Sequence, residues 1–284
     1  VISQELPRLP ESEIIARINK QEPFSAQVES GAYSLSVKRY APIIGSAIHN
    51  GGQVVEGIAE LLRVSQDERY YEEDPYTAEL VETLPVVLVG QDSRYMYDLN
   101  RDPDQCIYTE AWGKQVWQRP LEQSEREVLL ERHQSYYRVL GTLLNVLGKR
   151  FNATLLYDMH SYNYTRIQGH PPLFNIGTNF IDARFSPVIT HLQQTLSTVA
   201  ETFHGDRAVC DEVFYGKGYQ AAFCSVHHPD CLCIPLEVKK LFMDRKATTL
   251  KPEVFAELQS RVADALHHNS QVFQEQFIAP SKEE

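Results

Sequence analysis

The chain has 284 residues, 43% hydrophobic, 10% aromatic and 23% charged, which excludes a disordered, fibrous or disulfide-scaffold protein. Lys and Arg number 27 against 38 Asp and Glu, a net charge of -11. That surface repels phosphate backbones and anionic lipid, so neither nucleic acid nor a membrane is an expected partner. An anionic small substrate stays possible, because a few local cations can dominate inside a pocket.

The first ten residues, Val1 to Pro10, are polar and show no hydrophobic signal core. No stretch approaches the ~18–20 apolar residues of a spanning helix. The five cysteines (Cys106, Cys210, Cys224, Cys231, Cys233) are odd in number and loosely spaced, which points to a reducing, cytoplasmic setting. The sequons at Asn152 and Asn163 are then expected to be accidental. Glu11 to Lys20 carries Ile14, Ile15 and Ile18 at helical spacing and predicts a short helix. Tyr33 to Val37 alternates as a strand. Ala41 to Ile48 is apolar and reads as a buried strand running to His49 before the Asn50-Gly51-Gly52 turn. Leu84 to Val89 is a second apolar run, and Glu122 to Lys149 is the longest helical pattern. Ala153 to Tyr157 reads as a strand leading into Asp158-Met159-His160. Pro187 to Phe203 predicts a helix, Cys231 to Val238 a strand and Pro252 to Phe277 a closing helix. Strands alternating with helices, without repeats or a low-complexity linker, predict one α/β domain. Its central sheet should be mixed but mostly parallel, with helices on both faces. Such sheets place polar sites at the C-terminal ends of their strands.

Three polar residues follow apolar strands or enter a helix: His49 and His160 after strands, and Asp74 before Pro75. Two imidazoles and a carboxylate suit a catalytic zinc with an open fourth position. The alternative is two hydrogen-bonded strand-end histidines, with Asp74 capping a helix that begins at Pro75. Glu56, Glu72 and Glu73 compete for the carboxylate role. Arg94 and Arg101 flank a short extended piece containing Asp98. They could hold a substrate carboxylate through a planar guanidinium fork, or simply form ion pairs with Asp92 or Asp98. Glu237 is a charged residue in an apolar strand, so it must be paired, exposed or functional. Near a metal it could move a proton between water and a leaving nitrogen; otherwise it pairs with Lys239 or Lys240. Cys224, His227, His228, Cys231 and Cys233 crowd ten residues. They lack the paired Cys-x-x-Cys of zinc ribbons, and Pro229-Asp230 reads as a turn. This segment is expected to be a loop at the mouth of the site rather than a second metal centre.

In order, Ile48-His49-Asn50-Gly51, Glu73-Asp74-Pro75, Ser93-Arg94 through Asp98-Leu99-Asn100-Arg101, Tyr157-Asp158-Met159-His160-Ser161, Asn175-Ile176-Gly177-Thr178 and Pro235-Leu236-Glu237-Val238 resemble the N-formylglutamate amidohydrolase family. That family is similar to the zinc carboxypeptidase-like hydrolases. The resemblance spans about Ala41 to Asp244 and leaves residues 1–40 as an N-terminal extension packed on a single domain of residues 1–284. It implies a zinc-peptidase (phosphorylase/hydrolase-like) architecture and one Zn2+ per chain on His49, Asp74 and His160. It also implies substrate-carboxylate binding by Arg101 and Asn100, help from Arg94 with that carboxylate or the developing oxyanion, and Glu237 as general base. Asp158 and Ser161 would support the metal ligands. The implied activity is hydrolysis of the amide of an N-acyl amino acid such as N-formylglutamate. The rivals are a carboxypeptidase-like peptidase and a binding protein that retains the fold. The sequence departs from the family pattern at His49-Asn50-Gly51-Gly52 and over Gly216 to Cys233, which bears on the acyl group and the amino acid.

Overall fold

Apolar, β-branched runs build the centre of the molecule, because such residues fill both faces of a buried sheet. The structure is a computed structural model describing residues 6–204 and 206–278. Its strands are β1 (Arg8–Leu9), β2 (Phe24–Val28), β3 (Tyr33–Val37), β4 (Ile43–Ala47), β5 (Val86–Gly90), a small hairpin β6 (Glu110–Ala111) and β7 (Lys114–Gln115), β8 (Thr154–Tyr162), β9 (Phe174–Ile176), β10 (Ala208–Cys210) and β11 (Cys231–Lys239). The helices are α1 (Glu11–Lys20), α2 (Gln66–Glu72), α3 (Thr77–Val81), α4 (Gln123–Phe151), α5 (Ser186–Glu201), α6 (Tyr219–His227) and α7 (Pro252–Phe277). Nine strands form one sheet in the order β1-β2-β3-β5-β4-β8-β11-β9-β10. The central run β5-β4-β8-β11 is parallel throughout, whereas β2–β3, β3–β5 and β9–β11 pair antiparallel.

The period-two alternation of each strand sends its side chains to two separate cores. On β8, Leu156 joins the core beneath α1, α4 and α6, while Leu155, Tyr157 and Met159 join the core beneath α3, α5 and α7. On β11, Cys231 and Cys233 face the first core, and Leu232, Ile234, Leu236 and Val238 face the second. Helix α4 begins with a capping box between Glu122 and Glu125 and ends at Asn152 in the left-handed region, φ 67°. It buries Leu129, Tyr136, Leu140, Leu143 and Leu147 against the sheet, each such side chain contributing about 1.5–3 kcal/mol. Residues 24–37, expected in an N-terminal extension, supply strands β2 and β3 of the same sheet. No helix among the described residues is long and apolar enough to cross a membrane.

Two expectations change here. The sequence puts His160 after its strand, but β8 runs on to Tyr162, so Asp158 and His160 lie inside it. The hydrogen bonds to β11 continue through Glu237↔His160 and Lys239↔Tyr162, so neighbouring pairing extends the strand past its apolar part. The Cys224 to Cys233 segment is not a loop at the site: Cys224 and His227 lie in α6, and Cys231 opens β11 opposite Thr154. Glu237 lies further along the same strand, ~20 Å from that end at the usual rise per residue.

A candidate metal centre beside a cationic cavity

The C-terminal ends of the four central parallel strands converge. His49 follows β4 by two residues, and Asp74 lies between α2 and α3 with its backbone N–H donating to the His49 carbonyl (2.9 Å). His160 projects from β8 with Glu237 beside it in register on β11. Ligand atoms of His49, Asp74 and His160 lie within 4.8 Å of one another, and all three residues are buried. Nδ1 of His49 and Nδ1 of His160 are each 3.4 Å from Asp74 Oδ2. The other Asp74 oxygen, Oδ1, is 3.4 Å from the Ser161 hydroxyl and 3.5 Å from Lys240 Nζ. Burial works against the Asp74 charge, but hydrogen bonds from His160 and His49 and the Lys240 ammonium hold its carboxyl well below the usual range.

The competing carboxylates are used elsewhere. Glu56 is exposed, Glu72 pairs with Arg166, and Glu73 accepts from the Ser93 hydroxyl at 2.5 Å. Nor does the Asp74 side chain cap α3. Asn50 Oδ1 accepts from Ala78 N there (3.1 Å).

Each imidazole turns its second nitrogen toward a carboxylate. His49 Nε2 is 2.7 Å from Asp98 Oδ1, and His160 Nε2 is 3.1 Å from Asp158 Oδ1. A neutral imidazole with its proton on Nε2 presents a lone pair at Nδ1. With the protons on Nε2, as a bound cation requires, two such lone pairs face one carboxylate oxygen; as the structure stands, His49 Nδ1 and His160 Nε2 are each buried without an aligned hydrogen-bond partner. A cation reconciles these groups, and a nitrogen, nitrogen, oxygen donor set with carboxylates behind both imidazoles fits a zinc-like dication.

Asp98 has a role its local sequence does not show, since its neighbours there offer only arginines as partners. Oδ1 takes His49 and the Asn100 backbone N–H (2.7 Å), while Oδ2 takes Arg94 Nη2 (2.8 Å) and the Tyr108 hydroxyl. Arg94 is therefore in an ion pair and also lines the cavity, with Trp112 5.0 Å from its guanidinium carbon. The i, i+4 spacing of Arg94 and Asp98 was visible in sequence; their meeting with His49 was not.

A cavity of about 290 Å³ opens beside His160. Arg94, Asn100, Arg101, Asp158 and Glu237 line it, and Val213 to Gly218 forms the facing wall. Among the described residues, neither Arg101 nor Lys217 has a carboxylate partner; Arg101 Nε donates to the Tyr108 hydroxyl (3.4 Å). Glu237 pairs with neither neighbouring lysine, because Lys239 bonds Asp206 and Lys240 donates to the Glu73 carbonyl (2.5 Å). Burial pushes the Glu237 carboxyl up to about 7, against the pull of His160. Lys240 was unforeseen in this role: it is 2% exposed and ties the Asp74 segment to the end of β11.

The sequence profile of the N-formylglutamate amidohydrolase family matches residues 41–243. The chain belongs to this family. The crystal structure of N-formylglutamate amidohydrolase from Ralstonia eutropha JMP134 aligns over 86% of this chain and 99% of its own, with a TM-score of 0.69 and 18% identity. The gene product Atu2144 from Agrobacterium tumefaciens aligns over 84% and 96%, with a TM-score of 0.61 and 14% identity. At these identities the likeness shows a common fold, and His49, Asp74 and His160 of this N-formylglutamate amidohydrolase family member all lie within the matched residues 41–243. No curated protein sequence matches the chain significantly.

Proposed function

We propose that the protein is a zinc-dependent amidohydrolase that cleaves the amide of an N-acyl amino acid such as N-formylglutamate. The observation that carries this reading is the buried His49, Asp74 and His160 triad, with Glu237 beside it and unpaired cations across the same cavity. His49 Nδ1, Asp74 Oδ2 and His160 Nδ1 would hold the metal. When bound, zinc supplies Lewis-acid polarisation of a carbonyl and lowers the pKa of water toward ~7.

The remaining work falls to side chains. Arg101, with Asn100 beside it, receives the substrate carboxylate and so fixes the amide over the triad. Arg94, held rigid by Asp98 and Trp112, offers a fixed positive charge to the carbonyl oxygen as negative charge develops there. Glu237 accepts a proton from the attacking water and returns it to the departing amine nitrogen. Asp158 and Ser161 brace His160 and Asp74. The cationic wall suits an anionic substrate in a chain that is acidic overall, and five free cysteines suit the cytoplasm.

The test is hydrolysis of N-formyl, N-acetyl and N-succinyl amino acids, with and without a chelator, alongside metal analysis. About one zinc per chain and chelator-sensitive release of an amino acid support the reading. Cleavage of short peptides alone would make the protein a peptidase, and metal-free protein without turnover would make it a binder.

A further inference from the structure

Behind Asp158 lies a buried polar chain that the proposed chemistry does not use. Gln220, in the first turn of α6, has no exposed surface, and neither have Ser46 on β4 and Tyr136 on α4. Gln220 Nε2 donates to Asp158 Oδ1 at 2.7 Å and to Ser46 Oγ at 3.0 Å. Its Oε1 accepts from the Tyr136 hydroxyl at 2.8 Å. A polar side chain this deep is costly unless satisfied, and an apolar residue would fill the volume more cheaply. The orientation of the carboxamide is also determined. A carboxylate only accepts, so the NH2 end must face Asp158 and the oxygen must face Tyr136.

That direction continues to the triad. Asp158 Oδ1, held by Gln220, is the oxygen 3.1 Å from His160 Nε2, the nearest acceptor for a proton there although the contact is not aligned as a hydrogen bond. It favours the proton on Nε2, which leaves the Nδ1 lone pair aimed at the space shared with His49 and Asp74. We infer that Gln220 is a positioning residue for the metal centre, fixing Asp158 and, through it, the tautomer and ring orientation of His160. The same helical turn touches the substrate side. Tyr219 N donates to the Asn100 carbonyl (3.1 Å), and a Cβ on Gly218 would meet Asn100 Oδ1 at 2.0 Å. The start of α6 thus joins the support of a metal ligand to the proposed carboxylate-binding pair.

This inference rests on the metal reading of His49, Asp74 and His160, and its test needs no substrate. Zinc affinity is measured by competition with a chromophoric chelator in wild type, Gln220→Met, Gln220→Glu and Ser46→Ala, with the melting temperature of each metal-free protein. Imidazole nitrogen NMR of the metal-free proteins reports the His160 tautomer, which bound zinc would otherwise fix. Both Gln220 variants are expected to bind zinc about 10- to 100-fold more weakly, the usual cost of losing support behind a ligand, with mixed His160 tautomers. Ser46→Ala breaks the same network without touching Asp158. It should lower the melting temperature while leaving zinc affinity within about twofold of wild type. The inference is overturned if every folded Gln220 variant binds zinc as tightly as wild type, or if Ser46→Ala weakens binding as much as they do. A wild-type protein that binds no zinc instead overturns the metal reading beneath it.

Discussion

Two concentrations of metal-type residues lie at the two ends of β11, and they have opposite character. At the first end, Cys231 and Cys233 meet Cys224 from α6. Hydrogen bonding to Cys224 and burial push the Cys231 thiol well up; for Cys233 a bond from Cys224 pulls down, but burial together with the Asp158 and Cys231 charges pushes the thiol up to about 11. These groups are held neutral among the leucines of α4. At the other end, Glu237 stands beside His160, and the Asp74 and Asp98 carboxylates are held ionised. Burial opposes the Asp98 charge as well, yet Arg94 and His49 keep its carboxyl well below the usual range. Crowding of ligand-type residues in sequence is therefore not what marks the His49 end; there, among the described residues, His49, Asp74 and His160 bring ligand atoms within 4.8 Å of one another. Lone pairs must be aimed at one point, with charge around them that favours a cation.

Four experiments bear on this contrast, and the greatest effect should come from the triad. His160→Ala, or removal of metal by a chelator, is expected to abolish turnover, and metal-free protein should melt at a lower temperature because metal binds only the native state. Retained turnover in metal-free protein would erase the difference between the two ends.

Glu237→Gln comes next. It keeps the side-chain shape and removes the proton acceptor, so kcat should fall about a hundredfold or more, with bound zinc and KM nearly unchanged. If turnover stays at the wild-type level with metal in place, Glu237 is structural.

Arg101→Ala should act mainly on KM, raising it by the equivalent of about 2 kcal/mol, and Arg101→Lys should recover only part, because an ammonium lacks the planar fork. A purely kcat effect in steady-state kinetics would move Arg101 from binding to chemistry.

The smallest functional effect belongs to the thiol end. Cys224→Ala should cost about 1 kcal/mol, a shift of roughly 2–4 °C in melting temperature for a chain of this size, and leave zinc content and kcat as they were. A loss of zinc in this variant would show that the two ends are coupled.

Much of the fold was legible because its signals are local. The apolar faces of α4 and α7, the β-branched runs of β4 and β5 and the alternation in β3 lie within short windows. The weaker strands were not legible. Phe24–Val28 alternates like β3, but Phe174–Ile176 and Ala208–Cys210 are each too short to show a period and exist because neighbours pair with them. The last turn of α6, Cys224 to His227, reads as loop in sequence because it runs into the Pro229-Asp230 turn and shows no polar face. Packing of Ala221 and Cys224 into the sheet supplies what periodicity lacks. The sequence puts His160 past the end of β8 for a similar reason, since hydrogen bonds to β11 carry the strand through its polar residues.

The sequence by itself determined the kinds of groups at the site. His49, Asp74, His160, Arg94, Arg101 and Glu237 could each be named from a polar residue breaking an apolar run or from a short motif, because side-chain chemistry is local. It also determined the central α/β alternation, because hydrophobic periodicity is local. Only the tertiary structure decided which carboxylate joins the histidines, sending Glu73 to Ser93 and Asp74 to the imidazoles. Only it gave His49 its partner Asp98, set Lys240 against Asp74, and carried Gln220 under Asp158. Those pairings join residues from different strands and helices. Their distances depend on sheet order, register and the direction of each side chain across the pleat, none of which one segment can specify alone.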